Sequence, residues 1–395
     1  MRRRFLIVLA ALSAICFASA ARGQGALSLQ GLGYPPGQFS ARAEGTGGAV
    51  ADFDALSLTS PASLAGVAAS ALFLQYSPEF RKVTTSSGSA STMTARFPII
   101  EGVLPMGQSW TLGLGTSTFL DRSLETSLKR VQTVGTPADT VTLTERNKVL
   151  GGIDDVRLAL AWSTSPVFRI GVGAHAFSGS NRITFSQLFP DSSKYTSTGQ
   201  AERISYVGFA ASAGIEFHPA RAIGFALSGR KGGNLRAEAN DTTIGTGRIP
   251  DHYSGSVIFE GIPGVVLSAR VARDAWSSLG SLSSSGIRAY DAWDTGVGVE
   301  ASGPRLMSRI ITVRAGARFR TLPFGYQAQC TLPVPAGSTC TNSEKISETS
   351  FAAGLGVPLT RERASLDLSI QRAARSAADI KERGFILSFG LRVSP

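Results

Sequence analysis

Seven arginines share one side of an alternating pattern that runs through the chain: Arg169, Arg230, Arg270, Arg314, Arg318, Arg320 and Arg392. A guanidinium is a planar fork that matches a carboxylate with two parallel hydrogen bonds. Arg314, Arg318 and Arg270 are therefore candidates for holding the head group of an amphipathic acid. The competing reading is structural, with these arginines paired to Asp52, Asp54 and Glu44 near the N-terminus and to Glu300 and Asp367 further on. Catalysis finds little support. His175 and His218 fall on the arginine side and His252 at a strand start, each without an obvious serine or aspartate arrangement, and no Gly-x-Ser-x-Gly, phosphate loop or dinucleotide fingerprint occurs. The histidines share no ligand spacing with the cysteines, so neither a metal nor another cofactor is expected.

Charge and export narrow the partners. Arg2, Arg3 and Arg4 precede the short apolar run "FLIVLAALSAICFA", and Ala18-Ser19-Ala20 fits a cleavage site, so residues 1–20 read as a secretory signal peptide. Ile15 before Cys16, where a lipoprotein needs a small residue, argues against lipidation. The net charge of +11 falls to about +8 without the three leader arginines. Nucleic acid is an improbable partner for an exported chain, and arginines in a polar lumen or facing anionic lipid account better for the excess. Cys330 and Cys340 are the cysteines left, in a Pro/Gly/Thr-rich stretch and an oxidising compartment, which predicts a local loop disulfide.

The elements that would position these residues alternate with period two. In "IITVRAGARFR", Ile311, Val313, Ala315, Ala317 and Phe319 share one face, and Arg314, Gly316, Arg318 and Arg320 the other. "GFILSFGLRV" and "FRIGVGAHAF" do the same. Fourteen candidate strands lie near 69–81, 89–100, 108–120, 154–164, 167–178, 203–218, 221–230, 250–260, 263–273, 292–301, 308–321, 347–358, 363–372 and 383–393. Every second connection is short ("EGVLPMG", "SP", "PA", "GI", "SGPRLM", "TRER"), and most of the others are long and polar, the longest from Asp121 to Ile153. That layout is an all-β, antiparallel outer-membrane barrel of about fourteen strands, with both termini periplasmic in a Gram-negative-type cell. Such a ring is too wide for its own side chains to fill. Trp110, Trp162, Trp276, Trp293, Tyr206 and Tyr253 lie near strand ends, where interfacial girdling is the default account. Leu322-Pro323-Phe324 is a candidate external capture site.

What precedes the first strand is small and weakly apolar. "ARAEGTGGAVADFDALSLTSPASLAG" resembles the N-terminal hatch of the FadL-like outer-membrane transporters of long-chain fatty acids. Gly45-Thr46-Gly47-Gly48-Ala49 matches the family's glycine-rich stretch. Ser60-Pro61-Ala62-Ser63-Leu64-Ala65 matches its Asn-Pro-Ala motif, with Ser60 where asparagine is usual. "IPDHYSGSVIFEGIPGVVLSARVARDAWSSL" and "ITVRAGARFRTLPF" are similar too. The resemblance implies a monomeric barrel at 67–395, plugged by residues 21–66. It would pass hydrophobic molecules inward, with Gly45, Gly47, Gly48, Ser60, Pro61 and Ala62 at the gate. Expected partners are outer-membrane lipids, a hydrophobic ligand and the barrel assembly machinery. The alternative is a shut barrel whose loops 121–153 and 322–346 dock a secretion or attachment partner.

Overall fold

The computed structural model describes residues 31–85, 88–134, 139–191, 194–282, 288–306, 309–325, 344–359, 363–377 and 380–394. The leader at 1–20 and the Cys330–Cys340 pair lie outside the described residues. Among the described residues are seventeen strands: β1 (Ala71–Thr85), β2 (Gly88–Arg96), β3 (Ile99–Met106), β4 (Trp110–Asp121), β5 (Leu124–Val134), β6 (Asp139–Ser165), β7 (Phe168–Leu188), β8 (Thr198–Ala220), β9 (Ile223–Ala239), β10 (Thr242–Arg248), β11 (His252–Ile262), β12 (Val265–Asp274), β13 (Ala292–Leu306), β14 (Arg309–Thr321), β15 (Ser347–Leu359), β16 (Ala364–Ala377) and β17 (Ile380–Val393). Three short helices accompany them, α1 (Ala41–Gly45), η1 (Ala62–Gly66) and η2 (Trp276–Leu282).

Fourteen of the strands close a ring of antiparallel ladders. The order is β1, β3, β4, β6, β7, β8, β9, β11 to β17 in succession, and back to β1, which pairs with β17 from Leu72↔Val393 to Thr84↔Lys381. Closure removes the free edges of an open sheet over most of the ring. Along β9, Phe225 and Leu227 point out and are exposed while Ala226 and Ser228 are buried inside, and the other strands keep this period. Trp110 lies beside Trp162 at the end with short turns, their rings tilted at 41°, and Tyr253 and Trp293 lie outside near the end with long loops.

Three expectations shift. The stretch 121–153 is not an unstructured loop: β5 and the first part of β6 form a hairpin, registered from Leu124↔Val149 to Val134↔Asp139. "EGVLPMG" is not a turn but most of β3, with the reversal at 107–109, where Gly107 has φ +71°. β10, with strand extensions beside it, continues the ring beyond the band the sequence pattern marked. The first and third are amphipathic or polar ladders that lack the apolar rhythm of a spanning strand, whereas β3 does turn Ile100, Leu104 and Met106 outward.

At one place the wall parts. β1 pairs with β3 over Ala71–Leu74 but with β2 from Ser77 onward. The β3–β4 ladder stops at Ile99↔Ser117, followed by one bond from Thr118 N to Pro98 O at 3.1 Å. Beyond it β2 and β4 do not pair with each other, and a recess of about 670 Å³ lies there, bordered by Arg96, Phe97, Leu120, Asp121, Gly152 and Tyr206.

Candidate functional site: the filled lumen

Residues 31–66 lie inside the ring. A knot of short bonds makes the segment compact. Ser40 caps α1 by accepting from Ala43 N, its hydroxyl and that of Ser57 both bond Asp54, and Leu58 N donates to Gln38 O. Gly47 and Gly48 take φ +65° and +82°, which only glycine adopts freely.

The wall receives the segment with glycines. A Cβ on Gly316 would stand 2.1 Å from the Thr46 carbonyl carbon, one on Gly298 2.4 Å from the Thr46 oxygen, and one on Gly171 2.4 Å from Pro61 C. Gly113 and Gly115 are overlain by Leu64 and Leu58, Gly214 by the Ser60 hydroxyl, and Gly45 itself by Gly354. These inward glycines are sockets for chain that passes within van der Waals reach. Gly45, Gly47, Pro61 and Ala62 are thus packed on the wall, and Gly48 is covered by Phe39. Ser60 is buried, and its Oγ has no hydrogen-bond partner among the described residues.

Polar bonds tie the same segment to strands around the ring. Gln38 donates to Ser117 and Asp155, both at 2.8 Å. Arg42 grips Glu300 with a fork at 3.0 and 3.1 Å. Asp52 accepts from Ser256 at 2.5 Å and from Arg270 at 3.1 Å. Burial would raise the Asp52 carboxyl, but Arg270 and Ser256 outweigh it and hold it below the ordinary value. Glu44 has only serines at hand, Ser369 donating at 3.3 Å, so burial pushes it up to about 7.

The end with long loops carries a charged hub. Tyr34 pairs its backbone with Asp121, N–H to O at 2.9 Å both ways, and so extends the β4 edge that β2 leaves bare. Its hydroxyl donates to Glu348 at 3.0 Å and accepts from Arg320 and, at 2.7 Å, from Arg375. Arg375 also bonds Glu348 (2.5 Å), Glu79 (3.0 Å) and Glu382, and Arg96 joins Glu79 to Asp121 across the parted wall. Arg81, Arg96, Arg320 and Arg375 stand within 6 Å of the Tyr34 ring. Sequence reading named Arg320 alone of these; the other three and Tyr34 carry no motif, and only their strand parity could have placed them inside.

The arginines proposed for a ligand already hold acids. Arg314 bonds Glu300 at 2.7 Å and Asp367 at 2.6 Å; Arg318 forks onto Asp294 at 2.8 and 2.5 Å; Arg270 holds Asp52. Arg270 and Arg318 do border a small cavity of about 80 Å³, together with Gln38, Phe39, Phe119 and Trp276. Above it, η2 folds inward, so that Trp276, Leu279, Leu32, Phe119, Phe177, Tyr206 and Phe324 form an apolar cluster inside the ring. Trp276 and Tyr206 are therefore interior residues rather than girdle residues, and Leu322 and Phe324 are buried rather than displayed. Their apolar type was visible in the sequence; their inward folding depends on η2, which no period announces.

One expectation about chemistry is corrected. His175 does have an aspartate and a serine: Nδ1 lies 2.9 Å from Asp155, and Nε2 lies 2.8 Å from Ser212 Oγ. The three come from three neighbouring strands, invisible in linear order. All are buried, with Gln38 of the inner segment on Asp155, so the chain serves to fasten the segment to the wall. His252 is likewise bonded to Asp274 at 2.8 Å.

No protein-family model matches the chain, and no curated protein does. Solved structures similar to it include a Pseudomonas aeruginosa FadL homologue, with TM-score 0.63 and 12% identity over 92% of this chain and 99% of that one. Another is the CymD monoaromatic hydrocarbon channel, with TM-score 0.56 and 13% identity over 94% and 99%. A third is the Pseudomonas putida toluene transporter TodX, with TM-score 0.54 and 12% identity over 94% and 99%. The fold is that of the FadL-like outer-membrane barrels.

Proposed function

We propose that the protein is an outer-membrane channel for passive uptake of hydrophobic and amphipathic small molecules, with residues 31–66 as its hatch. The turns and both termini face the periplasm, and the long loops face outward. The observation that carries this reading is an apolar cluster inside the ring that borders both spaces. It shares Phe119, Trp276 and Ala292 with the inner cavity, and Leu120 and Tyr206 with the recess where the wall parts. An apolar solute captured under η2 would move along it once residues 35–48 draw back, and leave sideways between β2 and β4. A carboxylate head would have to compete with Asp52 and Asp294 for Arg270 and Arg318, so apolar contact selects the ligand more than charge does.

The test is a staple. Gly45→Cys with Gly354→Cys, in a Cys330→Ser, Cys340→Ser background, would tie the hatch to β15, where Gly45 and Gly354 touch. In liposomes, oxidation should cut uptake of a fluorescent fatty acid or aromatic hydrocarbon at least tenfold, and reduction should restore it. Uptake indifferent to the staple, or flux of sugars equal to that of hydrocarbons, would sink the reading. It would favour a shut barrel that docks a partner through its loops.

A further inference from the structure

The acids of five consecutive strands of the wall all turn inward. β15, β16, β17 and β1 contain one each, Glu348, Asp367, Glu382 and Glu79, every one buried, and β2 contains none. The outer face of the same strands carries four exposed cations, Arg372, Lys381, Lys82 and Arg383. On the far wall three outward cations are matched: Arg273 bonds Asp291 at 2.7 Å, and Lys231 and Arg248 share Asp251 at 2.5 and 3.7 Å.

Register sharpens the contrast. Lys82 and Arg383 are direct cross-strand partners, and Thr84 faces Lys381 one step on. Like charges directly opposite each other on a sheet are destabilising unless an anion sits between them. Below them lies an apolar floor, Phe80 opposite Phe385, with Phe385 also opposite Arg372 and Phe80 opposite Met93. These residues border an external recess of about 630 Å³.

Depth says which anion reaches it. Outward apolar residues on β1 run from Leu72 to Phe80, and on β17 from Val393 to Phe385, eight steps each. At ~3.3 Å per residue and a tilt of about 40°, that is roughly 20 Å of height, close to the apolar band of such barrels. Lys82, Arg383 and Lys381 stand just past its loop-end rim, at head-group level, with the aromatic floor at acyl level.

We propose that this face is a binding site for a phosphorylated glycolipid of the outer leaflet, its phosphates bridging Lys82, Arg383, Lys381 and Arg372 and its acyl chains lying on Phe80 and Phe385. The site rests on the reading above only in that the loop end faces outward. Its charge recognition follows from arginine and lysine on phosphate, and it would anchor the barrel beside the wall opening, which begins at the far edge of β2.

Native mass spectrometry of the intact, detergent-solubilised protein tests it, with bis-phosphorylated lipid A, its dephosphorylated form, phosphatidylethanolamine and inorganic phosphate as probes. Lipid A should bind at 1:1, and Lys82→Gln, Arg372→Gln, Lys381→Gln, Arg383→Gln together should weaken it at least tenfold. Lys231→Gln, Arg248→Gln, Arg273→Gln on the far wall should change it less than twofold. If the fourfold variant does not fold, Lys82→Gln with Arg383→Gln alone should still cost about fivefold. Equal binding of the dephosphorylated lipid or phosphatidylethanolamine overturns the proposal, as does unchanged binding by the variants. Displacement by millimolar phosphate overturns it in favour of a free-anion site. A tag inserted after Asp241 and probed on intact cells reports orientation separately. If it is hidden, the outward reading fails and the outer-leaflet assignment falls with it; if it is displayed and lipid A does not bind, the site alone fails.

Discussion

The hatch is held in two chemically opposite ways. Along β13, β14 and β7 it rests on bare glycine, backbone against backbone, with Thr46, Gly47 and Pro61 seated where any side chain would collide. At the loop end, Tyr34 is clasped by four arginines and Glu348, with Glu79 and Glu382 bonded to the arginines behind, all buried. The first contact is itself steric, although Arg42 and Asp52 on either side of it pair with Glu300 and Arg270. The second is electrostatic and all-or-none, since removing one partner strands another in a dry site. A hatch that moves would slide on its glycine floor and stay fixed at its charged rim.

Blocking the floor should have the largest effect. Gly316→Leu places a side chain where Thr46 lies and should expel the middle of the hatch while the ring still closes. Single-channel conductance should rise more than tenfold, and residues 41–60 should become protease-sensitive. A silent, protected variant would mean the wall yields instead. Breaking the rim comes next. Arg375→Met leaves Glu79, Glu348 and Glu382 short of a cation and should cost about 3–5 kcal/mol in denaturant unfolding, with part regained by adding Glu382→Gln. Loss of conductance control rather than stability would reverse the roles assigned to floor and rim.

Glu44 sits between the two regions and sharpens the comparison through pH. Its carboxyl, at about 7 in the folded protein against an ordinary 4.5, keeps its proton longer folded than unfolded. The docked hatch therefore gains stability below pH 4.5 and loses it as pH rises towards 7. Hatch protection measured by hydrogen exchange should fall across that window, and Glu44→Gln should flatten the profile. The smallest effect concerns Ser212. Ser212→Ala should cost only ~1 kcal/mol of stability, as one hydrogen bond, and a fluorophosphonate should leave the native serine unlabelled. Labelling there would make the Asp155–His175–Ser212 chain reactive.

Much of this was legible beforehand. Strict alternation in β14 and β17, and the rhythm of short and long connections, dictate a closed fourteen-stranded ring, because lipid rewards one apolar face and forbids edges. The glycine-rich opening stretch stood out as filler for a wide lumen. What stayed hidden was everything set by register. Whether Arg318 meets Asp294 or a ligand, and whether His175 meets Ser212, depends on which residues of separate strands stand opposite. A single chain written in order carries no record of that. The inward glycines were visible too, but their role was not, since a gap in the wall and a socket for the hatch look the same until the hatch is in place.

The backbone pairing of Tyr34 with Asp121 has a mechanical consequence. Tyr34 completes a sheet edge, so it cannot leave without exposing bare amides, and Pro61 and Leu64 are seated at the opposite mouth. The stretch between them is a leash pinned at both ends. It can bow but not be ejected, so the widest aperture is set by the slack in residues 35–60 and not by the bore of the barrel. Lengthening or shortening that leash would then reset how wide the lumen can open without touching a single lining residue.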